Sequence, residues 1–306
     1  MTTSARVRVP FVFVDVFADE PLTGNPLALV PDADNLPVER MRAIAREFNQ
    51  SETTFLVRPT RPEADWRLRS FTPGGVEVLG AGHNAMGAWI WLAEAGRLPP
   101  GRRQFVQEIG DDLLGVEVAE PADAAGADAK SVVTLDHSAP RFGRTVDDLE
   151  VLAAVVGLAA ADVATSAAAQ VVSTGAGHLL VGVRDRGAVD RAVPDVPLLL
   201  AVLREAGGEG CYVYSRDPVH PESGSVAYAR FFNPTVGIVE DPATGTAAAP
   251  LVALLVAAGE IADGRTVVVE QGHAIGRPSR LTVSIDRDRV RLSGSGLVSA
   301  EGVLLL

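Results

Sequence analysis

The sequence predicts an α/β protein of two similar domains, each a strongly curved sheet around a central helix, with a cleft between them. Three observations carry that expectation. Short β-branched and aromatic runs dominate the 306 residues. Two glycine-led helical stretches are apolar on nearly every face. Short motifs also recur in the same order in both halves. The length suits about two domains, and an apolar content of 47% gives each of them a core.

Taken in order, residues 11–17 and 27–30 read as the first strands. Val38, Met41, Ile44, Ala45 and Phe48 recur at helical spacing, and 53–57 returns to strand chemistry. Residues 66–71 form the next strand. "AGHNAMGAWIWLAEAG" then opens on glycine, and Ala85, Met86, Trp89, Ile90, Leu92 and Ala93 leave it little polar face, as in a core helix. Strands at 104–109 and 132–135 flank "AEPADAAGADAK", a linker over 119–130. Further strands follow at 179–183, 211–214 and 226–232. The second small-residue helix, "ATGTAAAPLVALLVAAG", has no polar face over 250–258, and from 266 onward the chain reads mostly as strands. Pro250, five residues after Gly245, is expected in or near the first helical turn, where a missing N–H costs least.

The halves share a pattern. "FTP" at 71–73 matches "FNP" at 232–234, and each is followed by one of the two helices. Gly82 to Gly96 and Gly245 to Gly259 both span 14 positions. "LTGNPLALV" at 22–30 resembles "STGAGHLLV" at 173–181. Matches of two kinds in one order indicate duplication. The expected domains are 1–127, completed by a C-terminal strand at about 292–306, and 128–291.

Composition excludes several classes. A net charge of −12 argues against a nucleic-acid partner, which needs clustered Lys and Arg. Cys211 is the only cysteine, so no intrachain disulfide is possible and a cytoplasmic setting fits. Asp15 breaks the apolar run "VPFVFVDVF" and no cleavage site follows, so no secretory signal is expected. The apolar stretch 247–259 is 13 residues long, short of the roughly 18 of a membrane span. Lys130 is the only lysine and lies in the linker, which excludes a P-loop and argues against pyridoxal phosphate. The five histidines are scattered without metal-ligand spacing. "GAGHNAMG" has three glycines but not at dinucleotide-binding spacing. The chemistry is expected to fall to side chains and backbone alone, with no cofactor and no metal.

Three places could carry that chemistry. In "FNQSETTFLV" the carboxylate of Glu52 stands between small hydroxyls where helix gives way to strand. It is either a solvated boundary residue or a base held where two elements meet. The starts of the two apolar helices are the others: unpaired N–H groups and partial positive charge attract a carboxylate, and glycines allow close approach. His83 stands at the first start, and Asp241, Thr244 and Thr246 at the second. The plainer reading is helix capping by Asp241 or Thr244, with His83 a partly buried polar residue. His137, His178, His220 and His273 read as structural, and Cys211 as a small buried hydrophobe.

The chain resembles the PhzF-like isomerase family of phenazine biosynthesis, within the diaminopimelate-epimerase-type fold. The resemblance rests on "DVFADEPLTGNPLALV", "NQSETTFL" at 49–56, "RSFTPGGVEVLGAGHNAMGA" at 69–88, "FFNPTVGIVEDPATGTAAAPL" at 231–251 and "QGHAIGRPS" at 271–279. It implies an α+β architecture of two mostly antiparallel, barrel-like sheets, each wrapped around its helix, with an active site between the domains. It also implies work without cofactor, and a homodimer. By position, Glu52 matches the family's acid/base carboxylate, and His83 and Asp241 its polar catalytic partners. Gly82, Gly245 and Thr246 match groups that hold the substrate carboxylate, and Ser51 is expected to bind substrate beside them. Epimerases of this fold use a thiol at each helix start. Here those starts carry none, so isomerisation by one carboxylate fits better than inversion by two thiols. Where the family usually has proline and a bulky residue before "AGH", and proline after it, this chain has Leu79, Gly80 and Asn84. Gly80 is expected to open space near the pocket and Asn84 to add an amide.

The expected function is therefore a cofactor-independent shift of a proton between carbons of a small unsaturated or cyclic carboxylic acid, in bacterial antibiotic-type metabolism. The alternatives are a cofactor-free lyase or hydrolase using the same carboxylates, and a non-catalytic metabolite-binding protein.

Overall fold

A computed structural model describes residues 7–119, 130–164 and 168–306. The chain forms two compact units, Met1–Leu135 with Gly294–Leu306, and Asp136–Ser293. All but the two end residues of the expected linker at 119–130 lie outside the described residues.

The chain runs β1 (Arg8–Val16), β2 (Asn25–Val30), α1 (Val38–Phe48), β3 (Thr53–Val57), β4 (Trp66–Phe71), β5 (Glu77–Val78), α2 (His83–Glu94), β6 (Gln104–Ile109), β7 (Asp112–Ala119) and β8 (Val132–His137). It continues through β9 (Arg141–Val146), α3 (Leu149–Val156), β10 (Ala169–Ser173), β11 (Gly177–Gly182), α4 (Arg186–Arg191), α5 (Val196–Ala206) and β12 (Gly210–Ser215). After these come β13 (Ser225–Asn233), β14 (Ile238–Asp241), α6 (Gly245–Ala257), β15 (Thr266–Gln271), β16 (Ser279–Asp286), β17 (Arg289–Gly294) and β18 (Gly296–Leu305).

Both units repeat one pairing scheme. In the first the order is β18-β1-β2-β3-β4-β6-β7-β8, with β5 on β4. In the second it is β9-β10-β11-β12-β13-β15-β16-β17, with β14 on β13. All neighbours are antiparallel except β2–β3 and β4–β6 in the first, and β11–β12 and β13–β15 in the second. The parallel joins fall at the same steps of both orders, which is what duplication of one unit requires.

Side chains repeat as well. Arg69 grips Glu77 with two hydrogen bonds of 2.7 and 2.8 Å, and Arg230 grips Glu240 with two of 2.9 and 2.7 Å. Each guanidinium also lies over the phenylalanine two residues on, 5.3 Å from the Phe71 ring and 5.0 Å from that of Phe232. Glu108 and Glu270, both fully buried, sit at matching positions of β6 and β15. Glu108 accepts from Thr60 and Arg61 N–H, and Glu270 from Val219 and His220 N–H. Each thereby ties down the loop after β3 or β12 with charge-assisted bonds.

The two apolar helices are the core. On α2 every residue from His83 to Ile90 is buried, and it packs on β1, β2, β3 and β18. Gly87 permits the closest approach, since a Cβ there would lie 2.6 Å from Leu27 Cδ2. Trp89 is fully buried and donates its indole N–H to Gln107 Oε1 at 2.8 Å, so its one polar atom is satisfied. On α6 ten residues from Gly245 to Leu255 are buried, against β10, β11 and β16. Pro250 departs from expectation. It lies at the sixth residue of α6, beyond the first turn, where its missing N–H removes one helical bond. Packing on all sides holds the helix together in spite of it.

A second layer packs outside each sheet. In the first unit α1 covers Val30, Phe55 and Phe71. In the second, α3, α4 and α5 bury Leu152, Val189, Leu199 and Leu203. Their starts are capped by Asp148, Asp185 and Asp195, whose carboxylates accept from backbone N–H.

Candidate active site

Glu52 stands at a joint. Asn49 ends α1 in the left-handed conformation (φ 51°), and its N–H reaches back to Ala45 O at 3.1 Å. Four residues later β3 begins, and its parallel pairing of Thr53 with Ala28 fixes where the preceding residues point. The Glu52 side chain is only 19% exposed, and Oε2 lies 3.8 Å from His83 Nδ1. Ser51 Oγ lies 3.4 Å from the other ring nitrogen, Nε2. One imidazole thus faces both residues of the Ser-Glu pair, and the solvated-boundary reading of Glu52 does not hold.

Burial pushes the His83 imidazole down to about 4, so at neutral pH it is uncharged. The contact with Glu52 is accordingly a neutral ring beside a carboxylate and not an ion pair. At 3.8 Å it is also longer than a hydrogen bond. An uncharged imidazole can donate from one nitrogen and accept at the other, so it can orient both neighbours without neutralising the carboxylate.

No side chain caps α2. Gly82 N–H is nonetheless taken, by Asn84 Oδ1 at 2.7 Å. The Asn84 amide N–H₂ goes to Ser70 Oγ at 3.1 Å and Gly80 O at 3.0 Å, and Ser70 Oγ meets Thr54 Oγ1 at 2.8 Å. This corrects the expectation that Asn84 adds an amide to a pocket: it is 1% exposed and its polar atoms hold the fold. Asn84 instead ties the helix start to β3 and β4. Gly80 does leave open space, with no atom within 4 Å of a Cβ there.

The second unit builds a different arrangement at the start of α6. Thr244 occupies the N-cap position but makes no cap bond; its hydroxyl goes to Asp241 Oδ2 at 2.5 Å. The capping reading of Thr244 therefore fails. Gln271 donates from Nε2 to Asp241 O at 2.7 Å and to Thr244 Oγ1 at 3.1 Å. Its Oε1 accepts from Thr244 N–H at 3.1 Å and from Tyr212 OH at 3.0 Å. Thr246 Oγ1 lies 3.3 Å from His178 Nε2. Burial pushes His178 down to about 4 as well. Gly245 is required by packing, since a Cβ would lie 2.2 Å from Leu292 Cδ2.

Sheet register shows that the acid is not duplicated. Thr53 pairs with Phe71 and Cys211 with Phe232, so Gly210 holds the place of Glu52. A Cβ at Gly210 would lie 2.6 Å from Phe231 Cζ, so an aromatic ring closes the equivalent position.

Among the described residues no three or more His, Cys, Asp or Glu side chains gather to hold a metal ion, and no helix is long and apolar enough to cross a membrane. Cys211 is buried in β12, which pushes its thiol up to about 12 and leaves it without thiolate character at neutral pH. A cavity of about 240 Å³ in the second unit, lined by Leu152 and Val163 among others, includes none of the candidate site residues.

The sequence profile of "Phenazine biosynthesis-like protein" (PhzC-PhzF) matches residues 14–302. The chain belongs to this family. It is 34% identical over 304 residues to trans-2,3-dihydro-3-hydroxyanthranilate isomerase of Pseudomonas aeruginosa, covering 95% of this chain and 98% of that one. Among solved structures, a PhzF-family phenazine biosynthesis protein of Bacillus anthracis superposes with a TM-score of 0.88 at 26% identity, over 98% of this chain and 100% of that chain. A hydroxyproline epimerase of Agrobacterium vitis has a TM-score of 0.64 at 12% identity, covering 98% and 93%; that likeness is one of fold. The PhzF relatives are isomerases by name, and this PhzF-family chain is an isomerase.

The motifs found Glu52, Ser51, His83 and Gly82 together on the first unit, and Asp241, Gly245 and Thr246 on the second. They did not find Gln271, Tyr212 or His178 as partners of those residues. Only the "QG" of "QGHAIGRPS" offered a signal, because Gly272, next to Gln271, takes a left-handed turn (φ 82°) in which a Cβ would meet Pro242 O and Arg277 O.

Proposed function

We propose that this isomerase moves a hydrogen from one carbon to another of a small unsaturated cyclic carboxylic acid, with Glu52 as the group that carries the proton. The carrying observation is Glu52 itself, mostly withdrawn from water beside a buried, uncharged imidazole. The Glu52 carboxylate removes a proton from an sp³ carbon, and the electron pair left behind spreads through the adjacent double bond. Glu52 then returns the proton to the far carbon, so the product has the mass of the substrate and nothing is oxidised. Exclusion of water limits loss of the proton to solvent. The N–H groups at the start of α2, other than that of Gly82, which Asn84 Oδ1 occupies, favour a bound carboxylate and the negative charge that develops beside it. His83, 3.4 Å from Ser51 Oγ and 3.8 Å from Glu52 Oε2, is assigned as the acid's polar partner by its match to the family motif. Asp241, Gly245 and Thr246 are assigned to substrate orientation and binding by their match to the family motifs.

The relative's name makes trans-2,3-dihydro-3-hydroxyanthranilate the first acid to test, and the family's name makes phenazine-type biosynthesis the setting. Glu52→Gln keeps shape but cannot take a proton, so binding should survive while turnover falls by about 10²–10⁴-fold. In deuterated water the wild type should place some solvent deuterium at the new C–H position, by partial exchange of the proton while Glu52 holds it. Full turnover by Glu52→Gln rejects Glu52 as carrier, and a product of changed mass would indicate a lyase or hydrolase instead.

A further inference from the structure

The hydrogen bonds around Gln271 admit only one direction. Asp241 O is a backbone acceptor, so it must face the amide nitrogen of Gln271, at 2.7 Å. Thr244 N–H is a backbone donor, so it must face the amide oxygen, at 3.1 Å. These two contacts fix which end of the amide is which, with no choice left to the network. The second N–H of the amide then points at Thr244 Oγ1, at 3.1 Å. The hydroxyl, accepting from the amide, donates its one proton to Asp241 Oδ2, 2.5 Å away. Tyr212 completes the set by donating to the amide oxygen at 3.0 Å, and burial, with Asp241 nearby, pushes its phenol up so that the proton stays on it.

All four hydrogen-bonding positions of a fully buried Gln271 are therefore filled. We propose that Gln271 is a positioning residue that acts through Thr244 to lock Asp241 Oδ2 as a hydrogen-bond acceptor, so that Asp241 orients substrate while the migrating proton travels on Glu52 alone. This rests on the proposed function for the role of Glu52. The locking of Asp241 stands on the geometry of the second unit.

Two readouts test it. Gln271→Glu replaces the amide nitrogen by an acceptor and removes the constraint on the hydroxyl. Thr244→Val removes the hydroxyl itself and keeps the shape, so it serves even if a buried charge at 271 prevents folding. In protein labelled with ¹³C at the aspartate carboxyl carbon, the Asp241 signal is the one lost in Asp241→Asn. Either variant should displace it, and Thr244→Ser should return it to its wild-type place. An unmoved signal in Thr244→Val overturns the lock, whatever the enzyme's substrate proves to be. With the dihydrohydroxyanthranilate as probe, each single variant should lower kcat/KM by about 10- to 100-fold, as for loss of a hydrogen bond to a charged group. The double variant should lose no more than the worse single, because both break one chain of bonds. The deuterium content of the product should stay at the wild-type level in each. Multiplicative losses, or a changed deuterium content, overturn the proposal.

Discussion

Burial acts on His83, His137 and His178 in one direction, pushing each imidazole down to about 4. The unfolded chain takes up protons on these rings from about pH 6.5 downward, whereas the folded chain does so only near 4. Stability from these groups is full above pH 6.5 and is lost as pH falls toward 4, at about 2 kcal/mol per histidine between pH 6.5 and 5. Denaturant unfolding at the two pH values should show this fall, and His178→Leu should be less sensitive to pH than the wild type. An equal fall in that variant would show that His178 is protonated alike in both states. The sequence displayed these histidines but not their burial. His178 stands in a strand of ordinary pattern, and the packing of α6 over β11, with the Phe231 ring 4.8 Å away, withdraws it from water.

The helix starts divide by what their glycines do. At Gly245 a methyl group would meet Leu292 Cδ2 at 2.2 Å, whereas at Gly82 the nearest side-chain atom is Asn84 Oδ1 at 3.5 Å. Gly245→Ala should thus cost about 1–3 kcal/mol by overpacking, and Gly82→Ala less. Thermal unfolding of the two variants checks the order, and a larger loss at Gly82 would refute it. Asn84→Ala should cost about 1–3 kcal/mol, since Gly82 N–H, Gly80 O and Ser70 lose their partner together. α2 and α6 were legible because nearly all of their residues are apolar. α3, α4 and α5 were not read from the sequence. Their Asp caps are visible there, but Asp before an apolar run is common in turns too.

For the whole molecule, duplication was legible through a few short motifs, and the pairing order shows how far it extends. The bidentate Arg–Glu pairs and the buried loop-anchoring glutamates are shared, so loss of either member of a pair should destabilise in similar measure. Arg230 and Glu240 are 11% and 9% exposed, which makes breaking that pair the more costly of the two. Arg230→Met and Arg69→Met, compared by chemical unfolding, should rank in that order. We also propose a homodimer, from the family resemblance alone, since the apolar segment "CYVYS" is buried within β12 and offers no surface for it. Light scattering at micromolar concentration should give twice the chain mass, and a strict monomer at high concentration would reject it.

The sequence by itself determined the fold class and the family, because apolar periodicity and closely spaced motifs are local properties of a chain. Tertiary structure decided what Glu52, His83 and Asp241 face. Gly210 and Phe231, rather than a second acid, occupy the matching place in the other unit, a fact that emerges only from strand register. Asn84 spends its amide on the fold because α2 starts within reach of Ser70 on β4, and Gln271 reaches Asp241 because β15 pairs with β13 alongside β14. A hydrogen bond between residues 30 apart in sequence depends on both backbones being fixed first, and no local pattern encodes that distance.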